Sequence, residues 1–220
     1  MKLKKNKKFI IAVDGGSSVG KSTGAKLIAK KYKLEFLSSG LLYRYASYCL
    51  IKKRPKNKIA FLNKIFKKLN SKKLDTIDLH SPKISENTSL IAKQNKIRAI
   101  LKVFQVNFSK RNNRCVIEGR DIATKICPNA DVRFFFVCNL EKAARRRYLD
   151  LRKNNLVVKF SEVKKALKIR NLRDKSRKHS PLLKHTDALE IDTGKLSKSE
   201  MVKKMSIIID KKLKELGSKN

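Results

Sequence analysis

A chain of 220 residues with 41% hydrophobic content can bury a proper core, and it reads as one domain or a compact multi-lobed unit. No apolar run approaches the ~20 residues of a membrane helix, and the run behind the basic Met1–Lys8 is too short for a signal peptide, so a cytoplasmic protein without a membrane partner is expected. The formal charge of +38 admits a nucleic-acid binder, and equally a surface on which Lys is the default polar residue.

Phe9–Val13 is a short apolar run rich in β-branched residues and predicts a buried strand. Gly15-Gly16-Ser17-Ser18-Val19-Gly20-Lys21-Ser22-Thr23 follows, and fits the phosphate-binding pattern G-x-x-x-x-G-K-[ST] at every fixed position. Lys21–Tyr32 then predicts a helix. Strand, Gly-rich loop and helix together are the context the pattern requires. Glycines let backbone N–H groups turn inward around phosphate oxygens, and the helix N-terminus adds partial positive charge. Lys21 can reach the outer phosphates, and the Ser22 hydroxyl can ligate Mg²⁺.

Leu34–Leu37 reads as a second strand. It delivers Ser38-Ser39-Gly40 and then a helix beginning near Leu41 that carries Arg44. Lys52–Asp78 reads as one amphipathic helix, His80-Ser81-Pro82 as a turn, and Ser85 to about Phe108 as one long helix with Ser89 and Arg98 as its polar candidates. Arg114–Ile117 is a third strand. It leads to Glu118-Gly119-Arg120-Asp121, and three charges with a glycine at a strand end are a site signal in an α/β fold. Val132–Val137 is a fourth strand, followed by a helix over Glu141–Arg152 that contains Arg145, Arg146 and Arg147. Phe160–Lys178 predicts a helix that places Arg170, Arg173, Asp174 and Arg177 on one face, where three cations repel unless an anion joins them. Ala188–Ile191 is a last strand and Leu196–Leu216 a closing helix. The basic ends, Met1–Lys8 and Lys214–Asn220, are expected to fray. Five strands alternating with helices predict a parallel, doubly wound sheet.

The chain has 42 Lys and 14 Arg, and 12 of the Arg lie between Arg98 and Arg177. The planar Arg fork grips phosphates and carboxylates bidentately, so this concentration points to an anionic ligand there, with the Lys elsewhere as solvated surface. Cys49, Cys115, Cys127 and Cys138 show no C-x-x-C pairing and no neighbouring His, so reduced thiols are expected.

Taken in order, these clusters resemble those of the bacterial cytidylate kinases, a branch of the P-loop nucleoside monophosphate kinases. The resemblance runs from about Ile10 to Lys212. It is carried by Asp14-Gly15 with the loop, Ser39-Gly40-Leu41-Leu42-Tyr43-Arg44, Glu118-Gly119-Arg120-Asp121-Ile122-Ala123-Thr124, Arg170-x-x-Arg173-Asp174-x-x-Arg177, and Asp192-Thr193. The chain departs from the family pattern at Gly16, Ser22, Ser38, His80 and Ala123.

The resemblance implies an α/β P-loop three-layer fold with a five-stranded parallel sheet. Its core would span about 9–40, 109–149 and 170–216, its monophosphate-binding lobe about 41–108, and its lid about 150–169. It implies ATP and Mg²⁺ as cofactors, with Gly15 through Thr23 and Arg146 on the nucleotide and Ser22 on the metal. Lys21, Arg120, Arg173 and Arg177 would serve the transfer. Ser39, Arg44, Arg120 and Arg177 would lie at the acceptor phosphate. Ser89, Arg98 and Asp121 would read the cytosine edge, and Arg170 and Asp174 the sugar. The expected reaction is phosphoryl transfer from ATP to CMP or dCMP in a monomer with no specific nucleic-acid partner. Two alternatives are another small-acceptor kinase, acting on UMP, AMP, shikimate or a coenzyme precursor, and a nucleic-acid-stimulated NTPase. A nucleotide-binding module without turnover is the third.

Overall fold

The structure is a computed structural model, and it describes residues 7–218. Strand β1 (Phe9–Gly15) is buried over its whole length. It runs parallel between β3 (Arg114–Gly119) and β4 (Val132–Val137). β2 (Glu35–Ser38) joins the free edge of β3, and β5 (Leu189–Asp192) that of β4, which gives the order β2-β3-β1-β4-β5.

A period of two on β1 divides the core between the two faces of the sheet. Phe9, Ile11 and Val13 pack with α1 (Lys21–Tyr32) and α8 (Lys198–Gly217) through Ile28, Met201, Met205 and Ile209. Ile10 and Ala12 pack with α2 (Ser39–Lys53), α3 (Lys58–Lys68) and α5 (Asn95–Arg111) through Leu42, Leu62, Ile97 and Leu101. Two helical layers sandwich one sheet, the three-layer arrangement expected. α6 (Leu140–Lys153) and α7 (Phe160–Ser176) form a smaller packed pair through Ala143, Ala144 and Leu167.

The helical segments differ from expectation in three places. The stretch 52–78 is not one helix: α2 ends at Lys53, α3 ends at Lys68, and a 3-10 turn covers Ser71–Thr76. Asn57 and Asn70 cause the breaks, because their side chains accept from Ala60 N and Lys72 N and so start new turns. The stretch 85–108 is two helices, α4 (Pro82–Ile91) and α5, with Ala92–Gln94 between them. Ser81 caps α4, with Pro82 in its first turn.

Arg177 does not lie on the α7 face: the helix ends at Ser176, and Arg177 is its extended C-cap. Of the ends expected to fray, Met1–Asn6 and 219–220 lie outside the described residues. Lys214 belongs to α8, which a Ser197–Glu200 capping box starts and which runs to Gly217.

Candidate functional site

All five strands point their carboxyl ends the same way, so the loop after β1, Ser38 at the end of β2, Arg120 after β3 and Thr193 after β5 meet along one edge. There they border a cleft of about 1540 Å³.

The loop forms its end. Gly15 has φ +147°, and a Cβ there would lie 2.3 Å from the Phe136 carbonyl, so only glycine lets β1 turn beside β4. Ser18 (φ 58°) and Gly20 (φ 85°) take left-handed backbone, the curvature that aims N–H groups inward. α1 begins without a side-chain cap and without an acidic residue in its first turn, which leaves its first amides and its dipole for an anion.

Lys21 is buried, and its Nζ donates to the Gly16 carbonyl at 2.5 Å. Burial, and after it the Arg120 charge, pulls its pKa down to about 7. Thr193 closes the far side: its hydroxyl donates to Val19 O (2.8 Å), while Arg146 donates to that hydroxyl (2.9 Å) and to the Thr193 carbonyl (2.7 Å).

Beside the loop, Glu118 gathers two hydroxyls. Ser22 Oγ donates to Glu118 Oε1 at 3.1 Å, and Ser38 Oγ donates to the same oxygen. Glu118 belongs to the charged strand end Glu118–Asp121, and the sequence pattern assigns it no role. Its signal is its register: Glu118 pairs with Val13, one residue before the Asp14–Gly15 turn, and so lies beside the loop.

Asp14 is buried between these groups and accepts from Ile122 N (2.9 Å) and Ala123 N (2.7 Å). Those two bonds hold a π-helical turn at Ile122–Ile126, which the sequence did not suggest. Burial raises the Asp14 carboxyl to about 7 despite both amides. Asn171 is a second residue the sequence missed. Its Oδ1 accepts from Ser17 N at 3.0 Å and ties α7 to the loop.

Opposite the loop the cations converge. Arg44, Arg120, Arg147, Arg170 and Arg173 all line the cleft. Arg120 Nε donates to Asp174 Oδ2 at 2.9 Å and its Nη2 to Ser17 Oγ at 2.9 Å, so it bridges loop and α7. Burial, then Arg170, Arg147 and Arg120 in turn, lowers Arg44 to about 9. Burial and then Arg120 lower Arg170 to about 10, and its Nε has no hydrogen-bond partner. Groups with those values stay charged near neutrality, and the shifts record burial first and the neighbouring cations second. Burial alone would raise the Asp174 carboxyl, but Arg120, Arg170 and Arg177 outweigh it and hold it below its usual value.

Ser89 lines the cleft with a buried hydroxyl that lacks a partner. Behind the wall, Arg98 Nη2 donates to Asp121 Oδ2 at 2.5 Å. Arg177 lies 4.0 Å from Asp121 and 3.6 Å from Asp174. Ser39 is buried at the start of α2, against Gly119. Arg98, Asp121, Asp174, Arg177 and Ser39 thus form a layer beneath the cleft lining rather than part of it. Gly15 and Gly16 likewise sit at the base of the loop. Among the described residues, no group of three His, Cys, Asp or Glu side chains forms a ready-made metal cage.

A family model described as cytidylate kinase matches residues 11–211. The cytidylate kinase of Rickettsia rickettsii is 36% identical over 207 residues, covering 93% of each chain. That of Bartonella tribocorum is 37% identical over 196 residues, covering 87% of this chain and 89% of its own. That of Fusobacterium nucleatum is 35% identical over 218 residues, covering 92% and 98%. Among solved structures, one from Thermus thermophilus is similar at a TM-score of 0.51 and 14% identity, covering 93% of this chain and 98% of that one, a likeness of fold alone.

Proposed function

This chain belongs to the cytidylate kinase family and phosphorylates CMP with ATP, and we propose that its cleft does so with the donor on the Gly15–Thr23 loop and the acceptor on the arginines facing it. The observation that carries this reading is the convergence of an uncapped helix start and a cluster of under-compensated arginines on one cavity.

The acceptor brings an anionic phosphate oxygen, so the transfer needs no strong general base. It needs alignment and relief of negative charge. Lys21 gives up the Gly16 carbonyl for the donor's outer phosphates, an exchange that turns a neutral acceptor into an anionic one. The loop amides and Arg146 hold the rest of the donor chain. Arg44 and Arg120 take the acceptor phosphate, with Ser39 and Arg177 supporting them. Arg173 on α7 faces the transferring group across the cleft. Arg170 and Asp174 serve the sugar.

Asp121, oriented by Arg98 beneath the cleft lining, accepts from the cytosine amino group once the acceptor lobe closes on the base. Uracil presents a carbonyl in that place and is disfavoured. Ser89 offers its free hydroxyl to the same base edge.

The oxygen set of Ser22, Glu118 and Ser38 suits Mg²⁺, a hard cation that takes few protein ligands and shares the rest with phosphates. Held there, Mg²⁺ would supply positive charge against the phosphates during transfer. The segments 41–108 and 150–169 act as acceptor lobe and lid on a core of 9–40, 109–149 and 170–216, and they close to keep water from the donor.

The chain is read as a monomer. Cys49, Cys115 and Cys127 are buried free thiols, which supports a reducing, cytoplasmic setting. Among the described residues, no helix is long and apolar enough to cross a membrane. The Lys-rich surface is read as solvated, with no specific nucleic-acid partner.

ADP release with a panel of monophosphates, at fixed ATP and Mg²⁺, tests the reading. CMP and dCMP should stimulate release most. Equal stimulation by UMP or AMP would overturn the base assignment, and DNA or RNA stimulation without any acceptor would favour an NTPase.

A further inference from the structure

Arg147 lies outside the set that the sequence singled out, and the reading above gives it no role of its own. It projects from α6 across the cleft. Its Nη2 donates to the His80 carbonyl at 2.8 Å and to Ser85 Oγ at 3.2 Å. Arg44, from α2, donates through Nη1 to the same Ser85 Oγ at 3.0 Å and to the Leu79 carbonyl at 2.7 Å. Ser85 in turn donates its own proton to the Ser81 carbonyl at 2.9 Å.

A hydroxyl has one proton and two lone pairs. All three are used here, and two guanidinium groups from different segments meet on one neutral oxygen. Their charges repel, and each is lowered first by burial. Among the described residues, no ion pair within 4.0 Å reaches either of them, although Arg120 and Arg177 nearby are ion-paired to Asp174. Arg170 lines the same cleft, and its buried Nε has no hydrogen-bond partner. Two cations that share a serine oxygen, beside a third with an idle donor, form a cradle built for a multi-oxygen anion. A phosphate monoester has the oxygens to replace both Ser85 contacts with charge-assisted ones.

We propose that Arg147 is a further acceptor-phosphate residue of this enzyme, and that Ser85 stations it beside Arg44 until the monophosphate arrives. The inference rests on the reading in which Arg44 holds the acceptor phosphate. It adds that the phosphate is gripped from both sides of the cleft, by α2 and by the helix that leads into the lid. Acceptor arrival thereby transfers Arg147 from His80 and Ser85 to the ligand, and α6 follows the substrate rather than the empty lobe.

The test is titration of the full chain with CMP and with cytidine, in the absence of ATP, for wild type, Arg147→Ala, Arg147→Lys, Ser85→Ala and Arg44→Ala. ATP affinity of each variant, read at the loop, checks that it is folded. Arg147→Ala should weaken CMP on the order of 10-fold or more and leave cytidine, which lacks the phosphate, unchanged. Arg147→Lys should recover part of the loss, because the charge remains while the fork is gone. Ser85→Ala should weaken CMP far less than either Arg147 variant, since Ser85 is exchanged for the phosphate. CMP affinity at the wild-type level in both Arg147 variants would overturn the proposal, as would an equal loss for CMP and cytidine. If Arg44→Ala leaves CMP affinity intact, the parent reading of the acceptor site falls instead.

Discussion

Arg98 and Asp121 hold one another at 2.5 Å, with 9% and 5% of their side chains exposed, directly behind the wall that carries Arg120. A buried ion pair is poor insurance for stability, since desolvation takes back much of what the attraction gives. Its use is orientation. Arg98 also donates to the Ala92 carbonyl at 3.2 Å, so the helix break at Ala92–Gln94 helps to fix the carboxylate that reads the base. Asp121→Asn replaces an acceptor by an amide that can donate. Competition between CMP and UMP should then show the CMP preference reduced on the order of 10-fold or more. An unchanged preference would remove Asp121 from the base assignment.

Lys21→Met separates transfer from binding. The ammonium acts on the donor phosphates and not on the acceptor, so kcat should fall by ~100-fold or more while CMP affinity moves little. Equal losses would argue for a general structural role. The same substitution should raise the melting temperature of the nucleotide-free enzyme at pH 7 by about 2–4 °C. Lys21 falls from its ordinary 10.5 to about 7 on folding, so its burial costs nothing above 10.5 and the cost is fully developed only below 7. A neutral side chain of similar length avoids it.

ATP should bring a proton with it. At pH 8 an amine near 7 is mostly neutral, and a polyphosphate replacing the Gly16 carbonyl restores the charged form. Calorimetry in two buffers of different ionisation enthalpy should report uptake of about 0.5–1 proton per ATP at pH 8, shrinking towards zero below pH 6. Lys21→Met should abolish the uptake, and uptake that persists in that variant would locate the proton elsewhere.

Glu118→Gln leaves shape and removes charge. The apparent Mg²⁺ requirement should rise about 10–100-fold, with CMP affinity unaffected. Ser22→Ala should act in the same direction and more weakly. A Mg²⁺ dependence unmoved by either change would separate the Ser22–Glu118–Ser38 cluster from the metal.

The strands and the loop were legible in the sequence because both signals are local. Phe9–Val13 is apolar throughout, and the loop residues sit at fixed spacing. The arginine set was legible through composition, as Arg stands out against a Lys background. Three features were not, and each depends on a partner far along the chain. The π turn at Ile122–Ile126 exists because Asp14 takes two of its amides from 108 and 109 residues away. Asn171 reads as an ordinary helix residue until it meets Ser17 N. Arg147 is one of three consecutive arginines, and the positions of His80 and Ser85 distinguish it. The helix breaks at Asn57 and Asn70 belong to another class. Their capping signals are local, but the apolar stripe from Ile59 to Leu69 masked them.

The sheet order has a consequence for how the enzyme is born. β1 finds both its hydrogen-bonding neighbours late: β3 begins at Arg114 and β4 at Val132, while β2, nearest in sequence, pairs only with β3. During synthesis, which proceeds from the N-terminus, the whole nucleotide loop therefore leaves the ribosome with no strand beside it. Its first glycine turns against Phe136, a residue made 121 positions later. A nascent chain thus completes its ATP site only once β3 and β4 have been made, and shorter intermediates carry the motif without the site.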